Sequence, residues 1–298
     1  MLEIRYFVVD VFTDKPLSGN PLAVVINNCG LTRERMQQIA REFNLSETTF
    51  VERRPPHLEQ AEGVRVRIFT TQEELDFAGH PTLGTASVLK LKAPEVFVGD
   101  TVKLAENVGP IPVQFSGEGL FGEMTQRDPE FGKELDRAEV GRLIGLAPEN
   151  LDPHLPPQIV STGNAFAIVL LHSVESLARL KVNQEEAAVW LRSLGARWFY
   201  VLAPSPDKNE NGAHGYRARM QFNGGEDPAT GSAAGCAISY LVRQGAVAPG
   251  ARIHVRQGVE MGRPSDLFLS AQLDSSRVTG VRVAGSTVLV AQGRLFLP

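Results

Sequence analysis

The sequence predicts an α+β protein of mixed α/β character, built as two similar halves, each a curled sheet or barrel around one central helix. Three observations carry that reading. Segments of the first half recur in order in the second, two helix-forming stretches are apolar nearly all round, and 28 glycines with 19 prolines supply many turns. The 298-residue chain is also about twice a ~150-residue domain. A chain of that length buries roughly 75% of its unfolded surface and needs no metal or disulfide staple.

The recurrence has three parts. Ser18-Gly19-Asn20-Pro21-Leu22-Ala23-Val24-Val25 reads against Thr162-Gly163-Asn164-Ala165-Phe166-Ala167-Ile168-Val169, an offset of 144. Arg65-Val66-Arg67-Ile68 reads against Arg217-Ala218-Arg219-Met220, an offset of 152. His80-Pro81-Thr82-Leu83-Gly84-Thr85-Ala86 reads against Asp227-Pro228-Ala229-Thr230-Gly231-Ser232-Ala233, an offset of 147. Three matches in one order, near half the chain length, point to a tandem duplication.

The elements follow the same plan twice. A strand (Tyr6 to Phe12; Gln158 to Ser161) leads through a Gly-Asn turn to a second strand (Leu22 to Ile26; Phe166 to Leu171). Thr32 is suited to cap a helix from Arg33 to Phe43, whose Met36, Ile39, Ala40 and Phe43 share one face. Gln184 to Leu194 takes that place in the second half, stopped by Gly195. A further strand (Thr48 to Glu52; Trp198 to Leu202) precedes the Arg-x-Arg strand. Helices then open at His80-Pro81 and Asp227-Pro228, with Pro at the first helical position, and run to Leu91 and Val242. Both are rich in Gly, Ala, Ser and Thr and nearly uncharged until their last turns, which marks buried helices. The linker, Asp128 to Pro157, holds a helix predicted over Lys133 to Ile144. Pro204 to Gly215 reads as a polar loop.

Several functions are excluded early. A net charge of −4 offers no basic excess to displace counterions, so no nucleic-acid partner is expected. No apolar run approaches 18 residues and the N-terminus is no signal peptide, so no membrane partner and a cytoplasmic, soluble protein are expected. Cys29 and Cys236 alone build neither a disulfide framework nor a zinc site, and the six scattered histidines suggest no metal. Gly117-Glu118-Gly119-Leu120-Phe121-Gly122 matches a dinucleotide fingerprint in letters only. It sits between two strand-like runs with no helix after it, which is a hairpin context.

The helix openings are better candidates. A helix N-terminus presents unpaired N–H groups and the positive end of its dipole, which suits a carboxylate or phosphate. Small residues at Gly79, Thr230, Gly231, Ser232 and Gly84 let a ligand approach. The plainer alternative makes Asp227 an N-cap, His80 a hydrogen-bonded core residue and the small residues packing devices. Glu47, in Leu45-Ser46-Glu47-Thr48-Thr49-Phe50-Val51, lies where a helix runs into a strand, and apolar and hydroxyl neighbours favour a raised pKa and acid/base work. Aligning Phe50-Val51 with Tyr200-Val201 sets Arg197 opposite Glu47, so the carboxylate is not duplicated. Asp76 is either a substrate contact or a solvated member of the acidic run Glu73-Glu74-Leu75-Asp76.

Five ordered motifs now stand together: Asp10-Val11-Phe12-Thr13 with Gly19-Asn20-Pro21, Ser46 to Val51, Phe77-Ala78-Gly79-His80-Pro81-Thr82, Asp227 to Ala233, and Gln257-Gly258 with Met261 to Ser265. Together they make the chain resemble the PhzF-like phenazine-biosynthesis family. The resemblance implies the diaminopimelate-epimerase fold, with domains at 1–127 plus about 286–298 and at 128–285, and the active site in the cleft between them. It implies a cofactor-free isomerase with Glu47 as acid/base, and with His80, Asp227 and Ser232 binding and orienting a small carboxylate-bearing substrate. The N–H groups near Gly79 and Gly231 would hold that carboxylate; a homodimer is left open. Epimerase relatives use two facing cysteines at the His80 and Asp227 positions, and this chain has neither. Two alternatives stand: a non-catalytic carboxylate-binding protein, and a racemase using Glu47 with His80 or Asp227.

Overall fold

The computed structural model describes residues 1–27, 30–117, 119–205 and 215–298. Cys29 and most of the Pro204 to Gly215 loop lie outside them. The chain divides into two compact units, Met1–Thr125 with Ala284–Pro298, and Gln126–Val283.

The first unit contains β1 (Leu2–Val11), β2 (Asn20–Ile26), α1 (Arg33–Phe43), β3 (Glu47–Glu52), α2 (Pro56–Glu62), β4 (Val64–Phe69), the short β5 (Glu74–Leu75), α3 (Gly79–Lys92), β6 (Thr101–Glu106), β7 (Gly109–Phe115) and β8 (Phe121–Thr125). The second contains β9 (Glu130–Glu134), α4 (Arg137–Ile144), β10 (Gln158–Ser161), β11 (Ala165–Leu170), α5 (Val174–Ala178), α6 (Gln184–Ser193), β12 (Trp198–Ser205), β13 (Gly215–Arg219), the short β14 (Gln221–Phe222) and β15 (Gly225–Glu226), α7 (Gly231–Arg243), β16 (Ile253–Gln257) and β17 (Ser265–Asp274). The last strand, β18 (Arg277–Leu297), runs from the second unit into the first.

In the first unit β1, β2, β3, β4, β6, β7, β8 and β18 pair in a ring, closed where Thr287–Leu297 runs antiparallel to β1. The fold is a mixed α/β one of the diaminopimelate-epimerase type, with a closed eight-strand barrel. Helix α3 touches β1, β2, β3, β6, β7 and β8, and every residue from Gly79 to Leu89 is buried. The buried interior explains why this helix carries almost no charge. Helix α1 lies on the other side of the strands, where Met36, Ile39 and Ala40 pack with Ile4, Val25, Phe50 and Phe69. Thr32 accepts a hydrogen bond from Arg35 N and caps α1, as its position before an amphipathic stretch predicts.

In the second unit α7 is buried from Gly231 to Val242 and packs against β10, β11 and β17. A separate apolar core joins α4, α5 and α6 to Ala167, Val169, Phe199, Val201 and Ala203.

The register of the strands repeats between units and corrects the sequence alignment. Leu22 pairs with Glu47 across β2 and β3, as Phe166 pairs with Trp198 across β11 and β12. Trp198, rather than Arg197, therefore occupies the place of Glu47. Arg67 grips Glu74 and Arg219 grips Glu226 through two hydrogen bonds each. Counting on from these pairs, Gly79 and Gly231 both open their helices, so His80 matches Ser232 and not Asp227. Neither proline stands at the first helical position. Pro81 is the third residue of α3, and Pro228 precedes Thr230, the residue at the N-cap of α7. Asp227 is likewise not the N-cap. The linker helix begins at Arg137, after its cap Asp136, because Lys133 is taken up in β9, paired with β10.

Candidate active site

Strand alternation places the first set of side chains. On β3, Phe50 packs with α1, whereas Thr49 Oγ1 lies 2.8 Å from Thr85 Oγ1 of α3. Glu47 shares the parity of Thr49 and so faces α3, at that helix's opening. There Oε2 of Glu47 lies 3.2 Å from Nε2 of His80, with the two side chains 15% and 4% exposed. On β2 the same alternation turns Asn20 and Leu22 toward α3. Leu22 packs over Gly84, and the Asn20 amide nitrogen lies 3.1 Å from Nδ1 of His80.

The amide nitrogen can only donate, so Nδ1 of His80 is the acceptor. A neutral ring then carries its proton on Nε2, facing Glu47. Burial pushes the His80 imidazole down to about 3, which keeps it neutral at physiological pH. In α3 the first intrahelical bond is from Thr82 N to Ala78 O, so the N–H groups of Gly79 and His80 have no acceptor within the helix. Thr82 Oγ1 lies 2.7 Å from Ala78 O and 2.6 Å from Oε1 of the buried Glu106.

The other predicted residues of this unit separate. Asp76 is exposed, and its carboxylate accepts from Asn107 Nδ2 at 3.3 Å. Gly84 lies more than a turn beyond the helix opening, and a Cβ there would come within 2.6 Å of Leu22 and 2.8 Å of Val11. It permits close packing of α3 on the strands and sits away from the opening.

The second unit has its own buried polar set. Thr230 Oγ1 donates to Oδ2 of Asp227 at 2.6 Å. The Gln257 side chain spans both residues: Nε2 donates to Asp227 O at 2.8 Å and to Thr230 Oγ1 at 3.0 Å, and Oε1 accepts from Thr230 N at 3.1 Å. Tyr200 also donates to that oxygen at 3.0 Å, its phenol held far above the usual range by burial and the nearby Asp227. The first intrahelical bond of α7 is Ala234 N to Thr230 O, so the N–H groups of Gly231 and Ser232 have no acceptor within the helix. Cys236 lies deeper in α7, its thiol 3.5 Å from Thr162 Oγ1 and pushed up to about 12 by burial. A thiol so placed is a packing group. Among the described residues no three His, Cys, Asp or Glu side chains gather to hold a metal ion.

Residues 9–293 match the family model described as phenazine biosynthesis-like protein. The chain belongs to the PhzF-like family. A trans-2,3-dihydro-3-hydroxyanthranilate isomerase of Pseudomonas aeruginosa is 35% identical over 304 residues, covering 98% of this chain and 99% of that one. A PhzF-family phenazine biosynthesis protein of Bacillus anthracis superimposes with a TM-score of 0.85 at 27% identity, both chains being fully covered. A probable proline racemase of Agrobacterium radiobacter, at 12% identity and a TM-score of 0.61 over 99% of this chain and 93% of that one, shares the fold alone. The chain is thus a PhzF-like isomerase. No helix of its described residues is long and apolar enough to cross a membrane.

Two members of these polar sets escape the sequence reading of this PhzF-like chain. Asn20 reads there as a turn residue, although it opens a strand and is fully buried. Glu106 is passed over, yet Val102 and Leu104 are buried on the same face of β6, a period-two signal that points its carboxyl inward.

Proposed function

We propose that this isomerase moves a proton within a small carboxylate-bearing substrate without a cofactor, with Glu47 as the acid/base. The 3.2 Å approach of His80 Nε2 to Glu47 Oε2, at the opening of a buried helix, carries the reading. His80 Nε2 stands 3.2 Å from Oε2 with no hydrogen bond formed between them, so the ring borders the carboxylate without tethering it. Glu47 takes the substrate proton and returns it on the same face. The N–H groups of Gly79 and His80, at the positive end of α3, suit the substrate carboxylate and the charge that develops beside it. Within the second unit, Asp227, Thr230, Gly231 and Ser232 form a polar set of their own at the opening of α7.

The two-base alternative is less well supported. With its proton on Nε2 and its Nδ1 engaged by Asn20, neutral His80 has no lone pair to offer a substrate. The name of the Pseudomonas relative makes a dihydro-hydroxyanthranilate the first substrate to test. In deuterium oxide, solvent deuterium should enter the product to the extent that protonated Glu47 exchanges with solvent before it returns the proton. Glu47→Gln should lower that rate by about 10²–10⁴-fold, the usual worth of a positioned acid/base. Undiminished exchange in that variant would remove Glu47 from the role.

A further inference from the structure

We infer that Glu106 is a positioning residue held as a neutral carboxylic acid, donating its proton to Thr82 and thereby fixing the first turn of α3 that carries His80. Thr82 has one hydroxyl proton and two oxygen neighbours, Ala78 O at 2.7 Å and Glu106 Oε1 at 2.6 Å. A backbone carbonyl can only accept, so the Thr82 proton belongs to Ala78. Were Glu106 ionised, either that bond would be lost or two acceptor oxygens would face each other at hydrogen-bond distance. A protonated Glu106 satisfies both contacts.

The second unit carries an uncharged residue at the matching strand position. Arg65 pairs with Ala105 across β4 and β6, and Arg217 pairs with Arg256 across β13 and β16. The next residue in each case is the counterpart, so Gln257 stands where Glu106 stands. Gln257 donates to the hydroxyl of Thr230, which passes its own proton on to Asp227. The threonines themselves are not counterparts, since Thr230 is the N-cap of α7 and Thr82 lies inside α3, but in each unit the side chain at this strand position meets a threonine hydroxyl near the helix opening. Burial acts in the same direction, pushing the Glu106 carboxyl up to about 8 against the opposing effects of Thr82 and Arg65. Arg65 is itself engaged by Ala105 O and Asn107 Oδ1. The other titratable groups at this opening are His80, which is neutral, and Glu47.

The consequence for catalysis rests on the proposed role of His80, whereas the protonation state does not. Carbon-13 labelling of the glutamate carboxyls, with the Glu106 signal assigned by its loss in Glu106→Gln, reads that state directly. A protonated-carboxyl shift at pH 7 is expected, and an ionised shift would overturn the inference. This readout holds even if no substrate is ever found, so it separates this failure from that of the proposed activity. Given turnover, Glu106→Gln should keep kcat within about 3-fold and lose the wild-type decline above about pH 8, because its amide still donates. A Glu106→Leu variant should lose at least 10-fold in kcat with KM little changed. Loss of activity in Glu106→Gln equal to that in Glu47→Gln would show that the charged form is required and refute the assignment.

Discussion

His80 Nε2 lies 3.2 Å from Glu47 Oε2, and Asn20 on the far side of the ring decides which of the two carries the proton. Three residues distant in sequence thus meet at a strand end, a helix opening and a second strand end. With Nδ1 accepting from Asn20, the neutral ring carries its N–H on Nε2, the nitrogen nearer Glu47.

Reversing that polarity should be worse than removing it. Asn20→Ala leaves a buried ring nitrogen without its donor, which costs about 1–3 kcal/mol of stability and should slow exchange modestly. Asn20→Asp places an acceptor at Nδ1 and draws the proton there, leaving a bare Nε2 against Glu47. Exchange should then fall further than in Asn20→Ala. Nitrogen-15 spectra of the labelled imidazole should show the change of tautomer.

The pH dependence of stability has a determined sign at His80. Burial holds the folded-state value near 3, against 6.5 for an ordinary imidazole, so the folded chain binds fewer protons between those values. The stability this group contributes is full above about pH 6.5 and drains away as pH falls toward 3. Denaturant titrations across that window should show a shallower acid decline in His80→Asn than in the wild type. Parallel slopes would contradict a buried neutral ring.

Gly84→Ala separates packing from binding. Its Cβ would meet Leu22 at 2.6 Å and Val11 at 2.8 Å, so the helix or the strand must shift. Overpacking of this kind costs about 1–3 kcal/mol, visible as a lower Tm. The folded variant should keep the wild-type KM. A raised KM with unchanged Tm would restore Gly84 to the substrate site.

Gln257→Leu should be strongly destabilising. It removes the partner of Tyr200, of Thr230 N and of Asp227 O at once. Orphaned buried polar groups cost about 1–3 kcal/mol apiece, so a sharp fall in Tm is expected. Gln257→Glu, isosteric but lacking the amide donor, should lie between Gln257→Leu and the wild type at neutral pH.

Much of this architecture was legible because it rests on local periodicity. The α1 helix from Arg33 to Phe43 with its Thr32 cap, the hairpin around Gly117 and the two helices uncharged until their last turns follow from neighbouring residues alone. The His-Pro and Asp-Pro match misled for an equally physical reason. Similar letters recur at both helix openings, but the helices start at Gly79 and Gly231, so the chemical groups there are His80 and Ser232.

By itself the sequence determined the fold class, the two nearly uncharged helices and the candidacy of Glu47, His80 and Asp227, since apolar spacing, caps and small-residue runs act over a few residues. Only the tertiary structure decided that Asn20 sets the His80 proton, that Gly84 packs on Leu22, and that Glu106 stands where Gln257 stands. Those outcomes depend on strand register and on burial. Register fixes which side chains meet across a sheet, burial fixes which of them can hold a charge, and neither is a property of any short stretch of chain.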